Sequence, residues 1–247
     1  MISKDSFNHI FANKQKVLVI MAHPDDAELY AGGTIARLIK AGKRVRVVKM
    51  TLGNKGCKQK LISEKELEKI RLKEDQKAME TLGIKKEDNV YLGLEDGGIE
   101  CDLENIGKIV RQIRLFKPEI IITHNPEDII IRFAKDINWV NHRDHLNTGK
   151  ITINAAYPYS RDLLFFPEQF KEKDITSWTV TEFLLVDYYK HPDMVHIEMT
   201  DFAETRSQAH AAHISQYSLK DAKNSTDFFT KHPSGKRLER FRYIIAD

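Results

Sequence analysis

Two cysteines in 247 residues, Cys57 and Cys101, are too few for a disulfide framework or a four-cysteine zinc site. Charge of one sign is also missing. The 39 Lys and Arg stand against 36 Asp and Glu, a formal charge of +3, with no arginine-rich block or basic-aromatic platform, which argues against nucleic acid as a partner. No apolar run approaches the roughly 18 residues of a membrane span. The N-terminus, MISKDSFNHIFANKQK, lacks the hydrophobic core of a signal peptide, so a soluble cytoplasmic protein without a membrane partner is expected. Repeats, linkers and low-complexity tracts are absent too. A chain of this length, 41% hydrophobic and 30% charged, predicts one domain over residues 1–247 with a substantial core.

What is present is an alternation of strand and helix. VLVIMA at 17–22 is short and uniformly apolar, which suits a central parallel strand buried on both faces. Gly32 and Gly33 precede a helix over 34–40 that Gly42 stops, and RVRVVKMT at 44–51 returns as a second strand. After a polar loop, a helix is predicted over 63–82, a strand at 89–94, a helix over 103–116 ended by Pro118, and a strand at 119–123. This pattern predicts an α/β fold, a three-layer, Rossmann-like, mostly parallel sheet with helices on both faces. Residues 124–140 form a long loop expected over the C-terminal edge of the sheet, where Phe133 and Trp139 predict a lid or a subunit contact, leaving a homo-oligomer open. A helix begins near Asn141. Beyond residue 160 the pattern weakens to strands at 179–187 and 195–198, a helix over 201–212, and a tail, SGKRLERFRYI, read as a last helix and edge strand.

The chemistry-bearing residues sit in two clusters. VLVIMAHPDDAELYAGGT at 17–34 delivers His23, Asp25 and Asp26 to the end of the first strand, where α/β folds place their sites. NHRDH at 141–145 puts His142 and His145 on one face at the start of a helix whose positive dipole end points to the same side of the sheet. Zinc in a hydrolase takes three protein ligands and leaves a position for water, lowering its pKa to roughly 7. His23, Asp26 and His145 supply such a set. Asp25, adjacent to a ligand, then fits the general base, and His142 the group that stabilises an oxyanion or protonates a leaving amine. This assembly suits amide hydrolysis.

Rival readings remain. A nucleotide-binding Rossmann protein needs G-x-G-x-x-G after the first strand, where this chain has HPDD. A two-metal phosphoester hydrolase wants more ligands than the sequence offers. A metal-binding protein without turnover, or a hydrolase of another amide, stays open.

The segments A-H-P-D-D-A-E-L-x-x-G-G-T at 22–34 and H-x-D-H at 142–145 resemble the LmbE-like, or PIG-L type, N-deacetylases, and the similarity extends over nearly the whole chain. YLGLEDG at 91–97, AAYPYSRDLLFFPE at 155–168 and AHAAHISQ at 209–216 resemble further family segments. The resemblance implies removal of an acetyl group from an N-acetylglucosaminyl compound or related amide, a small-molecule substrate. It also implies one zinc per chain, with iron or manganese as alternatives, held by His23, Asp26 and His145. By the same likeness Asp25 is the base, His142 the electrophilic or acid partner and His213 a residue near the metal; Asp96, His213 and Arg161 are candidates for substrate contact. Arg143 stands where the family usually has proline, Tyr30 where glycine is common, and the loop before His142 is longer than usual.

Overall fold

A computed structural model describes residues 4–57 and 61–246. In chain order the elements are α1 (Phe7–Phe11), β1 (Lys16–Met21), α2 (Asp26–Lys40), β2 (Arg44–Thr51), α3 (Glu64–Leu82), β3 (Asn89–Leu94), α4 (Leu103–Phe116) and β4 (Ile120–Thr123). The second half carries β5 (Ile130–Ala134), β6 (Ile137–Val140), α5 (Arg143–Asn154), β7 (Glu182–Leu185), β8 (Met194–Glu198), α6 (Ala203–Ala211), α7 (Leu219–Thr230) and β9 (Leu238–Ile245). Seven strands form one sheet in the order β3-β2-β1-β4-β7-β9-β8. The first five run parallel, and β9 is antiparallel to both of its neighbours. The expected three-layer, mostly parallel α/β architecture is therefore present.

The apolar strands explain the two cores. Val17, Val19 and Met21 of β1 point to one face, against residues of α2, α3 and α6, while Leu18 and Ile20 point to the other, against α4 and α5. Because the chain leaves β1 toward β2 and β3 and then returns to place β4 on the opposite side, strand order reverses between β1 and β4. Ligands of open α/β sheets bind at the carboxyl ends of strands beside such a switch point.

Several predicted boundaries move. Helix α2 begins at Asp26, not after the glycine pair, so Gly32 and Gly33 lie inside it. They serve packing: a Cβ on Gly33 would stand 2.4–2.8 Å from three side-chain atoms of the fully buried Met199. Gly33→Ala should therefore lower stability. The helix-propensity gain of about 1 kcal/mol is outweighed by overpacking of about 1–3 kcal/mol, since Met199 Cβ cannot swing away. A melting temperature lower by several degrees checks this, and a raised one would contradict it.

The expected loop 124–140 carries a β5/β6 hairpin. Phe133 and Trp139, expected to mark a lid or a subunit contact, pack within the chain against Tyr189, Phe228 and Phe229, with ring centroids 4.4–6.2 Å apart. Part of the surface beneath them is α7, a helix that the sequence expectations do not include although Ser218 and Asp221 form a capping box at its start. β9 is not an edge strand, because β8 pairs outside it. Among the described residues no helix is long and apolar enough to cross a membrane.

Candidate metal centre and active site

The carboxyl ends of β1, β2 and β3 converge with the start of α5 on a cavity of about 270 Å³ lined by His23, Asp25, Asp26, Asp96, His142 and His145. Backbone geometry sorts the two adjacent aspartates. Asp25 sits at φ +98°, a left-handed conformation that Asp tolerates better than most residues. It turns one carboxylate away from its neighbour just as α2 begins at Asp26.

Three donors meet on the inner side of the cavity. Asp26 Oδ2 lies 3.3 Å from His23 Nδ1, and Asp26 Oδ1 lies 3.3 Å from His145 Nε2. All three ligand atoms fall within 4.8 Å of one another. Ligands about 2.0–2.2 Å from a tetrahedral ion stand a little over 3 Å apart, so this set fits a divalent cation. The opposite nitrogen of His23 is equally well held. Its Nε2 lies 3.2 Å from Asp144 Oδ2 and 3.3 Å from Asp96 Oδ1, the carboxylate–histidine arrangement that orients metal-binding imidazoles.

This crowding sets the electrostatics. Burial alone would lower the His23 pKa, but hydrogen bonds to Asp144, Asp26 and Asp96 outweigh it and raise it well above the ordinary value. Burial pushes Asp26 up, yet His145 and His124 bring it well below the usual carboxylate range. His145 is lowered, by burial and then by the charge of His124.

His142 is the N-cap of α5, where its Nδ1 accepts the backbone N–H of Asp144 at 3.1 Å. With Nδ1 accepting, the neutral ring carries its hydrogen on Nε2. Across the cavity, Arg71 of α3 donates to Asp25 Oδ2 from both terminal nitrogens at 3.2 Å and to the Pro24 carbonyl. Its guanidinium passes close over Gly53, where a Cβ would meet it at 2.9 Å.

Two predicted contacts are not brought into this cavity. Arg161 pairs with Asp162 and lies over the Tyr157 ring on an exposed loop. His213 is fully buried behind α2, with Nε2 2.9 Å from Glu28 Oε1, and does not line the cavity. Asp96 does line it, while its Oδ2 accepts the Lys55 backbone N–H and its Oδ1 faces His23. Sequence reasoning misses Arg71, Asp144 and Tyr217. A signal exists for Asp144, the acidic residue enclosed by two histidines in H-x-D-H at a helix start. Arg71 sits in a charged helix with no local pattern to mark it.

His210 supports the wall from behind, its ring tilted against that of Tyr217 with centroids 4.3 Å apart. Neither of its ring nitrogens has a hydrogen-bond partner among the described residues. Burial, then the charges of Arg206 and His213, lower its pKa to about 3 from 6.5. The unfolded chain therefore binds a proton that the folded chain refuses. Stability from this group is fully present above about pH 6.5 and is lost as pH falls toward 3, by up to about 1.4 kcal/mol per pH unit. Urea midpoints should fall less between pH 7 and pH 5 in His210→Phe than in wild type; parallel slopes would contradict the assignment.

Comparison with known proteins bears on the family and the reaction class. The diacetylchitobiose deacetylase of Thermococcus kodakarensis is 28% identical over 219 residues, covering 88% of this chain and 76% of that protein. The mycothiol S-conjugate amidase of Streptomyces coelicolor is 30% identical over 175 residues, covering 62% of this chain and 55% of its own length. Both names denote hydrolases of amide bonds. The solved N,N'-diacetylchitobiose deacetylase from Pyrococcus horikoshii superposes with a TM-score of 0.81 at 24% identity, covering 97% of this chain and 87% of that one, a likeness of fold. The profile of the PIG-L family, described as GlcNAc-PI de-N-acetylase, matches residues 18–156. That span includes both histidine clusters and more than half of the sequence, and the chain belongs to the PIG-L family.

Proposed function

We propose that this chain is a zinc-dependent N-deacetylase that removes acetyl from an N-acetylated amino sugar or its conjugate. The observation that carries the reading is the convergence of three metal donors with an independent carboxylate and an independent imidazole on one cavity. His23, Asp26 and His145 would hold the ion, and nitrogen-plus-carboxylate donors suit zinc, with iron and manganese next. A bound divalent ion supplies Lewis acidity toward water and an amide carbonyl.

The protein groups do the rest. Asp25 accepts the proton of the attacking water, and Arg71 fixes the direction of that carboxylate. His142 offers its Nε2–H as a hydrogen bond to the developing oxyanion, and Asp25 passes the proton it took from water to the leaving nitrogen as the C–N bond breaks, giving acetate and a primary amine. The cavity, about 270 Å³, takes one sugar ring with its acetamido arm and leaves a conjugate outside. The family match and the deacetylase names of the relatives support the reaction class.

The test is release of primary amine from a panel of N-acetylglucosaminyl compounds by protein loaded with zinc, iron or manganese. Turnover with at least one metal and none after chelation is expected. A metal-free preparation of full activity would refute the reading.

A further inference from the structure

His124 takes no part in the chemistry above, yet it is fully buried against two of the three donors. It comes directly after β4, as Val186 and Asp187 come after the neighbouring parallel strand β7, so adjacent strand ends set residues 124 and 187 side by side. Its Nε2 lies 3.3 Å from Asp26 Oδ2 and 3.1 Å from the Ala22 backbone nitrogen. Its ring stacks on that of His145 at 3.9 Å and 14°, and Tyr30 closes over the edge at 5.7 Å. On the far side Nδ1 faces Asp187 Oδ2 at 3.9 Å. Neither of those two atoms has a hydrogen-bond partner among the described residues. Asp187 is buried and held at φ +66°, a region that favours glycine. Asp tolerates that conformation, and from it Oδ2 faces His124 while Oδ1 accepts the Tyr189 hydroxyl at 3.4 Å.

We infer that His124 and Asp187 are positioning residues that hold Asp26 and His145 in the arrangement a divalent ion requires. The inference rests on the reading of His23, Asp26 and His145 as metal donors. His124 acts through two of them at once: it fixes the rotation of the Asp26 carboxylate by contact and the plane of the His145 ring by stacking. Asp187 keeps the His124 ring from turning. Partners of this kind around a metal site typically change affinity by 10–100-fold when removed.

The test measures zinc affinity by competition with a chromophoric chelator, together with the visible spectrum of the cobalt-loaded protein. His124→Phe keeps a stacking ring and removes both nitrogens; it should bind zinc about 10–100-fold more weakly and show an altered cobalt spectrum. His124→Gln, which returns a polar atom toward Asp26, should recover most of the affinity. Asp187→Asn, nearly isosteric, should weaken binding by about 10-fold, and the double variant His124→Phe/Asp187→Asn should lose no more than His124→Phe alone. A purely structural role would lower the melting temperature while leaving the cobalt spectrum of the folded protein as in wild type. Wild-type affinity and spectrum in folded His124→Phe and Asp187→Asn would overturn the inference, as would a wild type that takes up neither metal. A wild type that binds zinc but deacetylates nothing would defeat the proposed reaction alone, because these readouts need no turnover.

Discussion

Asp25→Asn is expected to leave the metal in place and to slow amine release by about 10²–10⁴-fold, the usual worth of a positioned general base. The loss should fall on kcat with KM little changed, because a group that moves a proton only as the barrier is crossed adds little to substrate binding. The variant should still fold. Asn accepts the left-handed backbone that Asp25 occupies at φ +98° as readily as Asp does, and the Pro24 carbonyl still receives Arg71. Some stability is lost, because the Arg71 guanidinium, nearly buried, no longer faces a full negative charge. Metal content by elemental analysis separates the two aspartates. Asp25 is not one of the three converging donors, so a variant that loses the ion along with activity would show that it helps to hold the metal.

The division of labour between these aspartates is legible in part from the sequence. The apolar run at 17–22 identifies a central strand by composition, and the HPDD segment after it must emerge at a carboxyl end whatever the rest of the fold does. The same holds for α4, whose apolar spacing at Ile106, Ile109, Val110 and Ile113 gives its bounds of Leu103–Phe116 directly. The glycine pair misleads because glycine in a helix interior lowers propensity, and only the tertiary contact with Met199 shows why it is there. The hairpin at 130–140 hides for a related reason. Its inward residues, Ile131, Phe133 and Trp139, are interrupted by charge and turn residues, and the surface they cover includes α7, whose capping box marks a helix start but not what packs on it. Arg71 and Asp187 carry no motif: one is a charge among charges on α3, the other becomes informative only once β4 and β7 are known to be neighbours. Residues that touch the reacting atoms have local patterns, whereas those that aim them depend on packing between segments far apart in sequence.

His145→Ala is the variant expected to remove both metal and activity. The other two donors come from adjoining positions around the β1–α2 turn, and the third arrives from α5, which joins the site through its own capping bonds. Asp144 Oδ2 accepts the Gly97 N–H at 2.7 Å and Asp144 Oδ1 the Ile99 N–H at 3.3 Å, while His142 caps the helix. None of these uses the His145 ring, so α5 should stay docked after truncation. Two donors then remain, Asp26 Oδ2 and His23 Nδ1 at 3.3 Å, too few for a stable site. Elemental analysis should fall from about one ion per chain to below roughly a tenth of that, and amine release should vanish. Thermal unfolding gives a reading without substrate: added zinc should stabilise wild type by about 2.7 kcal/mol at 100 times its Kd and leave His145→Ala unmoved. If the variant nevertheless keeps its ion, a third donor stands close to the position His145 vacates. His124, stacked on that ring at 3.9 Å, is the imidazole placed to supply it. Retention of metal in His145→Ala and its loss in the double variant His124→Phe/His145→Ala would then move His124 from a residue that aims the donors to one of the donors themselves.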